Sequence, residues 1–334
     1  MSTKSRLLSL LEDNRGESIS GENIARQLNV SRTAIWKAVK ELEKDGYVIS
    51  AVTNKGYCLS AENDILSVEG ISKFLHRKDV KVLVYPSLDS TLTKAKQLAI
   101  SDAEHGTVII ADHQTAGRGR YGRSFFSPQG HGIYMGVILR PSFIRLSSPT
   151  LVTAFAAVAV CEAVETVANC NPQIKWVNDV FLGGKKICGI LTEAVSDYES
   201  GGIQWVVTGI GVNFTKPKEG IPSEWEDIIG AVFSNENEKP STTRNQLAAE
   251  IINRMMEIES KDPNAEHNLM ENYKKRMMML GERIVVTNTG GKQSYEATAI
   301  DIDDAGQLIV KMDNGEILSL SSGEISIKQA FRHA

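Results

Sequence analysis

Residues 117–123 read GRGRYGR, flanked upstream by the strand-like run Thr107–Ala111 and downstream by the strand-like run Gly132–Leu139. The heptad satisfies GxGxxG after a strand, as a dinucleotide-binding fingerprint does. That fingerprint also needs a helix to follow and an acidic residue about 20 positions on. Here Ser127, Pro128 and further glycines lead into another strand, and from His113 to Cys161 there is no Asp or Glu at all. A GxxxxGK[ST] phosphate loop does not occur either. The same acid-free stretch carries Arg118, Arg120, Arg123, Arg140 and Arg145. It therefore reads as a glycine-rich loop that presents arginines to an anion, with its charge coming from side chains more than from a helix N-terminus.

The surrounding chain has 334 residues with 42% hydrophobic and 23% charged, which suits two or three globular domains and argues against a disordered or fibrous chain. Formal charge is -4, so the average is not that of a nucleic-acid binder. The longest apolar run, Leu151–Cys161, falls short of the 18 residues a membrane span needs, and Leu7–Leu11 is too short for a secretory h-region. The expectation is a cytoplasmic protein with no membrane partner. Cys58, Cys161, Cys170 and Cys188 form no CxxC pair and read as reduced structural residues. The six histidines have no HExxH-like spacing, so no protein zinc site is expected and any metal should arrive with a substrate.

Residues 1–62 depart from the average, with nine Lys/Arg against eight Asp/Glu, and from Arg26 to Lys40 there are four cations and no acid. Residues 4–13 and the run from Gly21 to just before Asn29 read as helices. Ser31 is placed to cap a third helix, which buries Ala34, Ile35, Ala38, Val39 and Leu42 and ends at Gly46. Strands at Tyr47–Thr53 and Tyr57–Ser60, joined by a turn through Asn54, Lys55 and Gly56, complete a winged helix-turn-helix. Ser31, Arg32, Thr33, Trp36, Lys37 and Lys40 on the third helix, with Lys55 on the wing, are candidate DNA contacts. A solvated helix face is the alternative. One such module binds weakly, so specificity would need a dimer reading two half-sites.

Further on, KWVND at 175–179 precedes GGKKICGILTE at 183–193 and IQWVVTGIGVN at 203–213. Read alone, these could be sheet core with a lysine pair at a hairpin tip. Together with DST at 89–91 and QTAGRGRYGR at 114–123, their order resembles the biotin protein ligases. With the winged helix in front, the chain is similar over essentially its whole length to the bifunctional bacterial type. The resemblance implies a multidomain α+β protein: a DNA-binding domain over 1–62, a mixed α/β catalytic domain of the biotin/lipoate ligase type over 65–275, and an SH3-like β-barrel over 281–334. Alternating segments at 282–288, 294–302, 307–312 and 316–320, separated by Asp-Ala-Gly and Asp-Asn-Gly turns, support the compact β module independently.

The resemblance also implies a biotin–[acetyl-CoA-carboxylase] ligase. Biotin attacks the α-phosphate of Mg-ATP, and biotinyl-5'-AMP then acylates a lysine of the biotin carboxyl carrier protein. The same adenylate would favour a homodimer that binds operator DNA of biotin genes as a repressor. By this resemblance Asp89, Ser90, Thr91, Gln114, Arg118, Gly119, Arg120 and Lys186 belong to the biotin site. Arg120, Arg123, Phe125, Lys175, Asn178, Asp179, Asn213 and Lys328 belong to ATP or the adenylate. Lys186 and Arg120 are the catalytic candidates, and Asp179 would face Mg²⁺. Glycine spacing in 117–123 suggests a loop mobile before ligand binds. Departures from the family pattern are Val177 for a proline, Leu92 for an asparagine (dropped as a biotin contact), Phe125 for a tryptophan, Tyr121 for an arginine and Lys328 for an arginine. A lipoate-type ligase and a sensor without turnover are the competing readings; the GRGRYGR loop with the C-terminal barrel opposes the first, and intact Arg120 and Lys186 oppose the second.

Overall fold

The computed structural model describes residues 1–52, 55–144, 146, 148–196, 203–235, 240–287 and 294–327. These fall into two compact units, Met1–Asp79 with Thr242–Asn253, and Val80–Ser241 with Arg254 onward.

In the first unit three helices, α1 (Thr3–Asp13), α2 (Gly21–Leu28) and α3 (Arg32–Lys44), each begin at a serine whose hydroxyl accepts a backbone N–H of the first turn. Such a cap is worth about 1 kcal/mol. Asn29 ends α2 in the left-handed conformation and Gly46 follows α3 with φ +91°. The apolar faces of the three helices meet in one core containing Leu7, Leu11, Ile24, Ile35, Leu42 and Leu59. Strands β1 (Ile49–Val52) and β2 (Gly56–Leu59) pair antiparallel as the wing. At Gly56 the chain passes so close to Ile19 that a Cβ would lie 2.0 Å from the Ile19 carbonyl oxygen. Thr53, the expected end of the first wing strand, and Asn54 of the expected turn lie outside the described residues.

Helix α4 (Val68–Ser72) follows, and the segment Thr242–Asn253, which holds most of α7 (Arg244–Met256), is tied to its surroundings. Asn245 accepts from Ser67 N at 3.0 Å and donates to Ile65 O at 2.8 Å, Arg244 Nε donates to Asp64 at 2.8 Å, and Asn253 accepts from His76 N at 3.0 Å. These bonds satisfy polar groups that would otherwise be costly to bury.

The second unit contains β3 (Val82–Tyr85), α5 (Thr91–Ile100), β4 (Val108–Ala111), β5 (Gly132–Leu139), α6 (Pro149–Ala168), β6 (Gln173–Lys175), β7 (Asp179–Leu182), β8 (Lys185–Ser196), β9 (Ile203–Asn213) and α8 (Ala265–Lys275). Its seven strands form one mixed sheet in the order β3-β4-β5-β9-β8-β7-β6, with only β3 and β4 parallel. All eight residues of β5 are buried, so the sheet is covered on both faces there. Gly136 lets α5 approach closely, since a Cβ would meet Thr91 O at 2.7 Å.

Helix α6 has 20 residues and mean hydropathy 1.8, long and apolar enough to cross a membrane, which a count of uninterrupted apolar residues misses. It lies mostly buried, packed between the sheet and α8, and this accounts for its being apolar nearly all round.

A second sheet follows, built from β10 (Arg283–Thr287), β11 (Ser294–Ile302), β12 (Leu308–Lys311), β13 (Ile317–Leu320) and β14 (Glu324–Ile327). All its pairings are antiparallel, in the order β13-β12-β11-β10-β14. Among the described residues the ladder is open, with β13 and β14 at its edges, so the finding is a β-rich domain and not a closed barrel. Trp176, buried in the link between β6 and β7, donates from Nε1 to Gly306 O at 2.9 Å and ties this sheet to the larger one. The Trp176–Val177 peptide is cis.

Candidate active site

A cleft of about 270 Å³ in the second unit is floored by strand glycines. Gly189 of β8 and Gly211 of β9 are directly opposite each other. A Cβ on Gly211 would lie 2.5 Å from Phe125 Cε1, and one on Gly189 would lie 3.0 Å from Phe125 Cε2. The missing side chains thus make a seat for the Phe125 ring, which also meets Tyr134 edge-on at 6.5 Å between centroids. Alternate glycines in a strand mark a face stripped for close approach, and this was the one sequence cue to the floor.

The wall opposite is the arginine loop. It closes on itself through Gly119 N to Arg123 O at 2.8 Å and Phe125 N to Gly117 O at 2.9 Å, around a single 3₁₀ turn at Arg120–Gly122. A strand follows it, not a helix, consistent with rejecting a dinucleotide fingerprint. Arg118, Gly119, Arg120 and Arg123 all line the cleft. Arg140 does not serve it: its Nη2 donates to Ala103 O at 2.8 Å and pairs with Asp102 at 3.0 Å. Arg145 lies outside the described residues.

At the start of α5, Ser90 caps the helix, while Gln114 Oε1 accepts from Thr91 N at 2.8 Å and Thr91 Oγ1 at 3.0 Å. Ser90, Thr91 and Gln114 line the cleft, and so does Leu92, the residue set aside from the site on sequence grounds. Asp89 is not among the lining residues; its carboxylate accepts from Ser90 N at 2.7 Å and shapes the turn into α5.

The third wall is the β6–β7–β8 hairpin pair. Lys175, Asn178, Asp179 and Lys186 face the cleft. Lys186 Nζ lies 2.8 Å from Asp179 Oδ1 in an ion pair whose angles make no hydrogen bond. Asn178 is held by Ile190 through two 2.9 Å bonds and accepts from Arg120 Nη1 at 3.2 Å. Beneath the hairpin, burial pushes the Tyr273 phenol well above its ordinary range, so it stays a donor, to Val177 O at 2.9 Å. Beside β8, the turn segment ending at Gly230 brackets Lys186 with Lys186 N to Ile228 O and Gly230 N to Lys186 O, both 2.8 Å. Asn213 does not line this cleft; it stands at the end of β9 and donates to Gly230 O at 3.0 Å, helping hold that bracket.

Sequence reading also missed Trp176 and Tyr121 as lining residues, and the contribution of β14 through Ile325 and Ser326. Lys328 lies outside the described residues. Among the described residues five cations line the cleft, Arg118, Arg120, Arg123, Lys175 and Lys186, against one carboxylate, Asp179. Among the described residues no three His, Cys, Asp or Glu converge as a metal site.

In the first unit Ser31, Arg32, Thr33, Trp36, Lys37, Lys40 and Lys55 are all exposed. Ser31 caps α3, and Lys40 pairs with Glu43 at 2.6 Å.

The biotin/lipoate A/B protein ligase family matches residues 84–213, a helix-turn-helix domain matches 3–58, and the biotin protein ligase C-terminal domain matches 279–328. The chain is 39% identical over 236 residues to the bifunctional ligase/repressor BirA of Bacillus spizizenii, covering 70% of this chain and 71% of that one. It is 30% identical to the Salmonella typhimurium BirA over 97% of both. Among solved structures, biotin protein ligase from Aquifex aeolicus in complex with biotin and ATP superimposes with TM-score 0.61 at 25% identity, covering 74% of this chain and 98% of that one. The chain belongs to the biotin protein ligase family, in its bifunctional ligase/repressor branch.

Proposed function

We propose that this chain joins biotin to ATP, transfers the biotin to a carboxyl carrier protein, and represses transcription of biotin genes. The observation that carries the reading is the convergence of five cations and one carboxylate on a single glycine-floored cleft. Two anions repel, and fixed cations in a low-dielectric cleft offset that repulsion and stabilise the charge that builds up in the transition state. A biotin carboxylate oxygen bonds to the α-phosphorus as the bond to pyrophosphate breaks. The amine of the carrier lysine then attacks the acyl carbon, an amide forms and AMP leaves with the bonding electrons.

In this mechanism Ser90, Thr91 and Gln114 hold biotin. Arg118 and Lys186 gather around the carboxylate, Arg120 reaches both the carboxylate and the phosphates, and Arg123, Lys175 and Asn178 gather around the phosphates. Phe125 offers a ring face to the adenine, and Lys328, outside the described residues, is a further nucleotide contact by the family resemblance. Mg²⁺ enters with ATP as part of the substrate, and Asp179, the one carboxylate in the lining, is the side chain suited to face it. The domain boundaries 1–62, 65–275 and 281–334, an SH3-like closure of the C-terminal sheet and a cytoplasmic location complete the reading. The adenylate-loaded protein acts as a homodimer whose two α3 helices enter successive major grooves of operator DNA.

Exchange of labelled pyrophosphate into ATP, with biotin, lipoate or no acid added, tests the first half. Exchange dependent on biotin is expected. Exchange with lipoate alone would replace the substrate, and none with either acid would leave a sensor. A band shift on the upstream region of the biotin genes tests repression; binding indifferent to biotin and ATP would refute the co-repressor role.

A further inference from the structure

Tyr121 occupies the most constrained position of the arginine loop. Its φ of 57° and ψ of 30° are left-handed, and Gly122 after it has φ 74°. A large side chain rarely adopts that conformation, where glycine or asparagine is favoured. The contacts supply a reason for it. The Tyr121 hydroxyl accepts a hydrogen bond from Arg120 Nη2 at 3.0 Å, and the ring lies 5.0 Å from Arg120 Cζ. On its other side Arg120 Nη1 donates to Asn178 Oδ1 at 3.2 Å.

These partners are neutral. Lys186, by contrast, faces the carboxylate of Asp179. An acid beside Arg120 would hold it firmly and cancel much of its charge, and the whole stretch from His113 to Cys161 has no acid to offer. A phenol and an amide hold the guanidinium in place while leaving its charge for a bound anion.

We propose that Tyr121 is a positioning residue that keeps Arg120 aimed into the cleft with its charge uncancelled, so that the phosphates of the nucleotide meet a preformed cation. This rests on the adenylating role above. An arginine at 121, the commoner residue of the family pattern, would add a charge but repel Arg120; the tyrosine gives up that charge and orders its neighbour.

The test compares Tyr121→Phe, which keeps the ring and removes the hydroxyl, with Tyr121→Asn, which tolerates the left-handed backbone and removes both contacts. ATP binding by calorimetry and biotin-dependent pyrophosphate exchange are read on each, with the thermal midpoint. Tyr121→Asn is expected to raise both the ATP dissociation constant and the half-saturating ATP concentration about tenfold, with Tyr121→Phe between it and the parent and the midpoint unchanged. Parent-like ATP affinity in both variants would overturn the proposal, as would a loss that follows a falling midpoint. A parent protein that binds ATP but shows no exchange would sink the adenylating role, while the calorimetry still decides the clamp.

Discussion

The α3 face and the cleft are both acid-poor clusters of cations, yet the structure treats them differently. On α3, Arg32 and Lys37 stand exposed in water, and Lys40 is shared with Glu43. In the cleft, Arg120 and Lys186 are half-buried, held by named partners and pointed at one small volume. Exposed charges are screened within about 8 Å at physiological salt, so they act additively and weakly on a long polyanion. Cations fixed in a cleft act together on a few atoms, and losing one costs far more. Residue type is shared; burial and the nature of the partner set the work each cation can do.

The largest effect that could break this comparison is in the cleft. Lys186→Ala should slow pyrophosphate exchange by roughly a hundred- to a thousand-fold; a near-parent rate would mean the cleft lysine is no more than a hairpin residue. Next comes Gly211→Ala, whose new Cβ would strike the Phe125 ring. Overpacking of this kind costs about 1–3 kcal/mol, expected as a lower thermal midpoint together with weaker exchange. Gly209→Ala is its control, since the nearest atom to that Cβ is Leu92 Cδ1 at an ordinary 3.4 Å.

On the helix, Arg32→Ala and Lys37→Ala should each weaken operator binding modestly. Each should also reduce the slope of log affinity against log salt by about 1 if it touches a phosphate. An unchanged slope in both would leave α3 a solvated face.

An exposed pair sets the lower limit of the series. Asp301 lies 3.0 Å from Lys274. Partial burial opposes its ionisation, but hydrogen bonds from Lys274 and the Ile302 N–H outweigh that and hold Asp301 below the usual carboxylate range. Its contribution is therefore present above the unfolded carboxylate pKa and lost as pH falls through the lower folded one. Asp301→Asn should cost under about 1 kcal/mol at neutral pH in denaturant titrations, with the difference starting to shrink below roughly pH 4 and vanishing only once folded Asp301 is itself protonated.

Much of this was legible in the chain because its cues are local. Ser31 ahead of α3, leucines at helical spacing and Gly46 after α3 place the N-terminal helices within a residue or two. Strand β5 begins and ends where the strand-like run Gly132–Leu139 places it. The arginines of GRGRYGR, Lys175 of KWVND and Lys186 of GGKKICG line one cleft, which follows the order of motifs in the family resemblance and not the charge bias alone. Less legible were Asp89, whose carboxylate is taken by the N–H of the next residue, and Asn213, whose amide is taken by Gly230 O, brought near it only on folding. The bracket at Ile228 and Gly230 around Lys186 has no hydrophobic period to announce it.

Local cues along the chain specify the helix-turn-helix, the strand–loop–strand that rules out a dinucleotide fold, and the chemistry of the cleft, since caps, periodicity and charge act over a few residues. Only the tertiary structure decided that Thr242–Asn253 packs with residues near Asp64 and His76, that β14 lines the cleft, that Phe125 sits on Gly189 and Gly211, and that Tyr121 holds Arg120. Most of those contacts join residues far apart in the chain. The Tyr121 contact joins neighbours, but it depends on a left-handed turn and on Asn178 across the cleft. None carries a periodicity; each is set by the packing of the whole sheet and its loops.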